Sequence, residues 1–430
     1  MSTEWIPNTA FWTSEFPSRT VGRTIPELFK QLFPPAVVDA HDVLDGLRAL
    51  REAKLATTGT TAKARVYVGE DRRDDLVDHV LAADAWPDND DFVAGMQSLV
   101  GAERFSLIVN NLETTSERLS AGFGQLLGSV FEGWGVPAGG AEQVAFIGNY
   151  SGTAFGVHEG YEDAFLVHLG PGVKNFYCWS PEVYEKQTGS TRPLFGDYTW
   201  LLQHGQLFVL EPGDVLFLPR RVFHVGMQSE FSVSVAIPLY TYPDIRLLRF
   251  AVMPEVLDAA LDNEAGGMFE PSPMHDLSAG WRPAVDRLSP LMLSALGKAT
   301  AGLDGLLSAA LSRRWHAMLS NGGWEVVDLD LARDAAVAAH SDELIAPGAA
   351  VRLRAPYQIR LDETGRAYLR GAAVAAPHGP FPCPLVARFN SGDHVELPDD
   401  PAMLAEVRAL AATGGIQVGP FSDGIEKEQD

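Results

Sequence analysis

From Phe105 to Tyr242 the chain is largely a succession of short apolar runs: FSLIVNNL, VAFIGNY, TAFGVH, DAFLVHLG, KNFYCW, GQLFVLEPG, DVLFLP and FSVSVAIPLY. Each is rich in Val, Phe, Tyr or Leu, and they are separated by Gly, Pro and Asp turns. Runs of this length, bounded by such residues, are strands, and several in a row can bury their apolar faces only in an all-β barrel or sandwich. One stretch interrupts them. RLSAGFGQLLGSVFEGWG has helical spacing and stops at the Gly-rich turn PAGG. The chain is therefore expected to be mainly β with α.

The flanks read differently. Residues 1–104 form an expected N-terminal cover of helix and loop, with short amphipathic runs such as IPELFKQLF and VVDAHDVLDGLRALREAKL. Residues 243–325 are helical again, and their apolar stripes suit packing on the barrel or on a second subunit, so this segment is a candidate for dimerisation. Residues 326–420 carry an expected hairpin turning at DETG, then a helix and a closing strand, a small α+β module of winged-helix shape. Residues 421–430 form an acidic tail expected to be disordered. At 430 residues a chain of several parts is the natural expectation.

Charge and composition exclude some partners. Fifty-six acidic against 33 basic side chains give a net charge of -23, which repels a phosphate backbone and argues against nucleic acid. The same field attracts a cationic polypeptide, although acidity is also a common route to solubility. No stretch reaches the length of uncharged apolar sequence that a membrane helix needs. The start, MSTEWIPNTAFW, lacks the basic and apolar regions of a secretory signal, and the two cysteines, Cys178 and Cys383, are far apart. A reducing cytoplasm is expected.

The segment EPGDVLFLPRRVFHVG carries the strongest chemical signal: Gly213, five residues, Pro219, and His224 five residues further on. This spacing matches the second motif of cupins. The turn and the proline fix where a strand restarts, so that the imidazole points into the barrel mouth. A lone histidine is more simply a hydrogen-bonded core residue, but here a second motif precedes it. YSGTAFGVHEGYEDAFLVHLGPGVKNFYCW resembles the first metal-bearing strand pair of JmjC-type, cupin-like Fe(II)/2-oxoglutarate oxygenases. Those proteins carry Gly-Phe-Gly-x-His-x-Asp, an apolar strand, then a Gly-x-Lys or Gly-x-Arg turn before an aromatic strand. The present chain offers Phe155, Gly156, His158, the strand Ala164 to Leu169, and Gly172-Val173-Lys174-Asn175-Phe176. FSLIVNNLE, FIGNY and FSVSVAI also look like their counterparts in the ribosomal-oxygenase branch, as does the order of parts.

The resemblance implies a double-stranded β-helix (cupin/JmjC barrel) over 105–242, close within that block and architectural outside it. It implies a dioxygenase that oxidises a C–H bond of a peptide or protein side chain, and a homodimer. It also implies His158 and His224 as metal ligands for Fe(II), and Lys174 as the cation that pairs with 2-oxoglutarate. The departure is Gly160, which stands where these proteins carry Asp or Glu. Glu159 projects away from the face His158 uses, by strand alternation. Glu162 and Asp163, on the next turn, are possible substitute ligands, and His168 is either a third imidazole or a satisfied barrel histidine.

Three outcomes stay open at Gly160. The shell is completed by Glu162, Asp163 or water and the protein hydroxylates; the vacant position takes chloride, as in related halogenases; or iron is lost and the barrel is a non-catalytic binding module. Other candidates are weaker. The glycines of LGPGVK and GTAFG lack the strand-to-helix setting of a nucleotide loop, the remaining histidines show no paired metal spacing, and Cys178 on an apolar strand is expected to be buried and inert.

Overall fold

The protein was analysed as a computed structural model that describes residues 5–52, 64–82, 86, 88–101, 103–153, 155–261, 282–327, 344–375, 379, 381–419 and 421. It divides into two units, Met1–Thr241 with Met318–Asp430, and Tyr242–Ala317.

The first unit holds β1 (Glu27–Phe29), β2 (Ala64–Val68), β3 (Asp71–Arg72), β4 (Phe105–Val109), β5 (Val144–Gly148) and β6 (His158–Glu159). It continues through β7 (Asp163–Pro171), β8 (Lys174–Trp179), β9 (Gln206–Leu210), β10 (Val215–Leu218), β11 (Phe223–Met227) and β12 (Ser232–Leu239). They form an eight-stranded sheet in the order β1-β10-β7-β12-β5-β4-β2-β3 and a four-stranded sheet in the order β6-β11-β8-β9. Pairing is antiparallel. In the centre of the large sheet Val167 lies between Val215 and Val235, and Leu166 between Leu216 and Ala236.

Side-chain alternation decides what each face meets. The odd-numbered residues Phe165, Val167, Val215, Phe217, Val233 and Val235 join one buried core with Leu44, Leu47, Phe123 and Leu126 of the covering helices. Those helices are Ala40–Glu52 and Glu117–Trp134; the second buries Leu119, Phe123, Leu126, Leu127 and Val130, a stripe at helical spacing. Each such side chain contributes about 1.5–3 kcal/mol of burial. The even-numbered residues Ala164, Leu166, Leu218 and Ala236 face the other way and line a cavity. The alternation thus separates a structural face from a chemical one.

The N-terminal region departs from expectation. Residues expected as helix and loop contribute β1, β2 and β3 to the large sheet. Within IPELFKQLF, Glu27–Phe29 pairs as an edge strand with β10, and Phe29 and Phe33 enter the core. A nine-residue apolar run followed by Pro34 is too short to hold a helix by itself, so sheet pairing overrides its periodicity.

The C-terminal part of this unit has its own core, including Val351, Leu369, Phe389 and Val407. Ala350–Leu353 pairs with Val395–Glu396 and Ile416–Val418, while Arg360–Leu361, Ala367–Leu369 and Ala372–Val374 form a second small sheet. The DETG turn is closed by Asp362, whose Oδ1 accepts from the amides of Thr364 (2.9 Å) and Arg366 (3.0 Å). Helix Cys383–Asn390 was not anticipated; helix Pro401–Ala411 was, capped by Asp400. The acidic stretch 422–430 lies outside the described residues.

The second unit is helical, comprising Asp244–Leu247, Leu248–Val252, Met253–Leu261, Arg282–Ala301 and the helix Leu303–Ser320 as far as Ala317. Its core is small, built on Val252, Val256, Ala260, Ala295, Ala299 and Ala310. Among the described residues, no helix is long and apolar enough to cross a membrane.

Candidate metal and anion site

His158 and His224 are cross-strand partners on β6 and β11. Their ring centroids lie 4.5 Å apart with the planes inclined at 58°. Each ring donates its Nδ1–H to the carbonyl two residues upstream, His158 to Gly156 at 3.1 Å and His224 to Val222 at 3.0 Å. A carbonyl can only accept, so the tautomer is fixed and each Nε2 keeps its lone pair. Gly156 adopts φ +63°, and a Cβ there would meet the Leu194 carbonyl oxygen at 2.2 Å; only glycine fits this turn. Burial lowers the pKa of both imidazoles, and for His224, with His158 beside it, to about 3. Both rings are neutral donors at physiological pH. Phe176 stacks on His224 and Phe155 meets His158 edge-on, which holds the rings in place.

Lys174, at the start of β8, faces the same cavity. It is 1% exposed, and its ammonium donates to the Tyr150 hydroxyl (2.7 Å) and to Gln228 Oε1 (3.0 Å). Gln228 is itself held by its Nε2 on the carbonyls of Gly148 and Ser232. Among the described residues no carboxylate forms an ion pair with Lys174, and burial pulls its pKa down to about 7. A buried ammonium held by neutral groups is stabilised by an incoming anion. The cavity has a volume of about 150 Å³ and opens to solvent, and apart from these groups its walls are mostly apolar.

The carboxylates near the imidazoles have different surroundings. His158, Gly160 and Glu162 all line the cavity. Glu159 faces Arg221, with 3.8 Å between Oε2 and Nε. Asp163 accepts from the Arg220 amide at 2.9 Å and lies 3.4 Å from its guanidinium, so its oxygens are turned away from the imidazoles. A Cβ built on Gly160 would meet only the Glu162 carbonyl oxygen and His224 Cε1, both at 3.6 Å. The position is open and adjoins the imidazole. Among the described residues no group of three or more His, Cys, Asp or Glu side chains is already gathered around a metal position.

His168 is not part of this set. It is fully buried, with Nδ1 on Ser234 Oγ (2.9 Å) and Nε2 on the Gly172 carbonyl (2.6 Å), so both nitrogens are engaged. Cys178 is buried and its thiol pKa is pushed up by burial. Sequence reasoning missed the partners of Lys174. Tyr150 stands in FIGNY, where an aromatic residue at a strand end has many uses, and Gln228 had no signal at all.

The arrangement defines a class: residues 141–246, from just before β5 to beyond β12, match the family model of the JmjC domain, so the barrel is of JmjC type. The fold of the whole chain is similar to that of YcfD, described as a ribosomal oxygenase from Escherichia coli. The YcfD structure in complex with cobalt and succinic acid has a TM-score of 0.50 and 17% identity, covering 94% of this chain and 98% of that one. A second, in complex with cobalt and 2-oxoglutarate, has a TM-score of 0.47 and 16% identity over 94% and 98%. No curated protein matches the sequence.

Proposed function

We propose that the protein is an Fe(II)/2-oxoglutarate-dependent oxygenase that hydroxylates a C–H bond in a peptide or protein side chain. The observation that carries this reading is one cavity lined by two imidazoles with free Nε2 lone pairs and by a buried lysine that, among the described residues, lacks a carboxylate partner. Two nitrogen donors on one wall suit a divalent metal, and the ammonium suits the far carboxylate of a dicarboxylate, so the residues fit both groups. When bound, iron and 2-oxoglutarate would let O2 act as the oxidant for C–H cleavage, one oxygen atom going to the substrate and the other to succinate as CO2 leaves. His158 and His224 would hold the metal, and Lys174 would orient the cosubstrate, with Tyr150 and Gln228 fixing its ammonium. YcfD, whose fold the chain shares, is known in complex with cobalt and succinic acid.

The substrate class follows from charge: a molecule of net charge -23 draws cationic polypeptide toward its surface. We place this activity in the cytoplasm, which suits two free cysteines. The second unit supports homodimerisation, since Phe250, Leu288 and Leu293 are 69%, 57% and 69% exposed. A second reaction, halogenation, is favoured by one feature, the open space beside His224 at Gly160. The test incubates wild type and Gly160→Asp with iron, 2-oxoglutarate, chloride and cationic peptides, following succinate and peptide mass. Hydroxylation predicts a gain of one oxygen by the wild type whether or not chloride is present. A chlorinated product that disappears in Gly160→Asp establishes halogenation instead. If the wild type neither binds iron nor forms succinate, the barrel is a binding module.

A further inference from the structure

We infer that Tyr184 is a positioning residue that fixes both imidazoles from behind, a role that rests on the metal site proposed above. His158 and His224 line the cavity, whereas the residues just before them, Val157 and Phe223, belong to a separate buried cluster with Tyr184 and Leu201. Both of these last residues come from the connection between β8 and β9, residues 180–205. Tyr184, on the helix Pro181–Thr188, is fully buried, and its ring lies flat on that of Phe223, with centroids 3.6 Å apart and planes inclined at 4°. Its hydroxyl donates to the Arg192 carbonyl at 2.8 Å. Two residues further on, Leu194 exchanges backbone hydrogen bonds with Val157, each of 2.9 Å. One side chain thus ties the residue before His224, by its ring, to the residue before His158, through the short run Arg192–Leu194.

The strand that carries His158 needs such support. β11 is paired on both sides, by β8 and β6, but β6 is two residues long and meets β11 only at Glu159 and His158. So short a ladder sets the height of His158 poorly, and the 180–205 connection supplies the other edge. It also presses on the loop leading to His158. A Cβ at Gly156 would meet the Leu194 carbonyl oxygen at 2.2 Å, and one at Gly152 would meet the Tyr198 hydroxyl oxygen at 1.5 Å. Two imidazoles bind one metal only if both lone pairs converge on one point, so groups that orient the rings act on affinity without touching the metal. Tyr184 meets both histidine-bearing segments, one by contact and one by its hydrogen bond.

The test is titration of the full chain with Co(II), reading affinity and the visible ligand-field spectrum at saturating metal, alongside urea unfolding; none of these requires turnover. Tyr184→Phe keeps the stack on Phe223 and removes only the bond to Arg192. It is expected to weaken Co(II) binding about tenfold, the lower end of what losing a ligand-orienting group costs, and to shift the visible bands. Tyr184→Leu, which loses stack and bond together, should weaken binding further. Ser129→Ala removes a buried hydroxyl that accepts from Trp12 on the opposite face of the large sheet; it should lower stability and leave affinity and bands as in the wild type. Tyr184→Phe with wild-type affinity and bands, while His224→Ala abolishes binding, overturns the role of Tyr184 and leaves the proposed metal site standing. The same band shift in Ser129→Ala also overturns it, since general loosening would then account for both. Binding that is absent in the wild type, or indifferent to His224→Ala, defeats the proposed site and this inference with it.

Discussion

Replacing Lys174 by Met should stabilise the protein in acid and destabilise it in base, while removing its affinity for 2-oxoglutarate. Burial lowers the lysine pKa from its ordinary 10.5 to about 7. At about 1.4 kcal/mol per pH unit this gap is worth about 5 kcal/mol against the folded state wherever the group is charged in both states, which is below pH 7. Between pH 7 and 10.5 the folded protein holds the lysine neutral while the unfolded chain still binds the proton. Wild-type stability therefore rises with pH through that window, by up to about 1.4 kcal/mol per unit. Methionine lacks the charge but leaves the Tyr150 hydroxyl and Gln228 Oε1 without their partner, a loss of about 3 kcal/mol for the two. Lys174→Met is then expected to be about 2 kcal/mol more stable than wild type at pH 6 and about 1 kcal/mol less stable at pH 9. Urea unfolding at the two pH values measures this, with calorimetric titration of 2-oxoglutarate on the same samples. A variant less stable at pH 6, or a difference that does not change sign with pH, refutes the reasoning.

Two further outcomes are expected. His168→Ala loses hydrogen bonds from both ring nitrogens and leaves a hole in the barrel wall, so unfolding should show a loss of about 2–4 kcal/mol with Co(II) affinity unchanged; the opposite pattern would make His168 a metal ligand. Light scattering at tens of micromolar should report a homodimer, and Leu293→Lys in the exposed apolar face of the second unit should shift it toward monomer; a monomeric wild type removes the dimer from the account.

What could be read from sequence was governed by how local each determinant is. The strands from β4 to β10 and β12 were legible because apolar runs and turn residues lie within a few positions of one another. His158, Lys174 and His224 were legible as candidates because their spacing from Gly156, Gly172 and Pro219 reflects turns that set each strand's phase. The structure brings all three to one cavity. Longer-range determinants were hidden. Glu27–Phe29 is a strand because β10 offers an edge, which nothing in IPELFKQLF announces. Gln228 meets Lys174 from a position 54 residues away. Alternation already set Glu159 aside, but what holds Asp163 could not be read locally, since the Arg220 amide captures it across another 57 residues.

The central claim is that His158, His224 and Lys174 together hold a metal and a dicarboxylate. The most direct measurement is a crystal structure grown with Co(II) and 2-oxoglutarate, with the metal located by anomalous scattering. The account predicts one Co(II) about 2.1 Å from Nε2 of both His158 and His224, and the far carboxylate of 2-oxoglutarate within hydrogen-bonding distance of the Lys174 ammonium. Cobalt bound elsewhere, or a dicarboxylate that leaves Lys174 on Tyr150 and Gln228 alone, would contradict it.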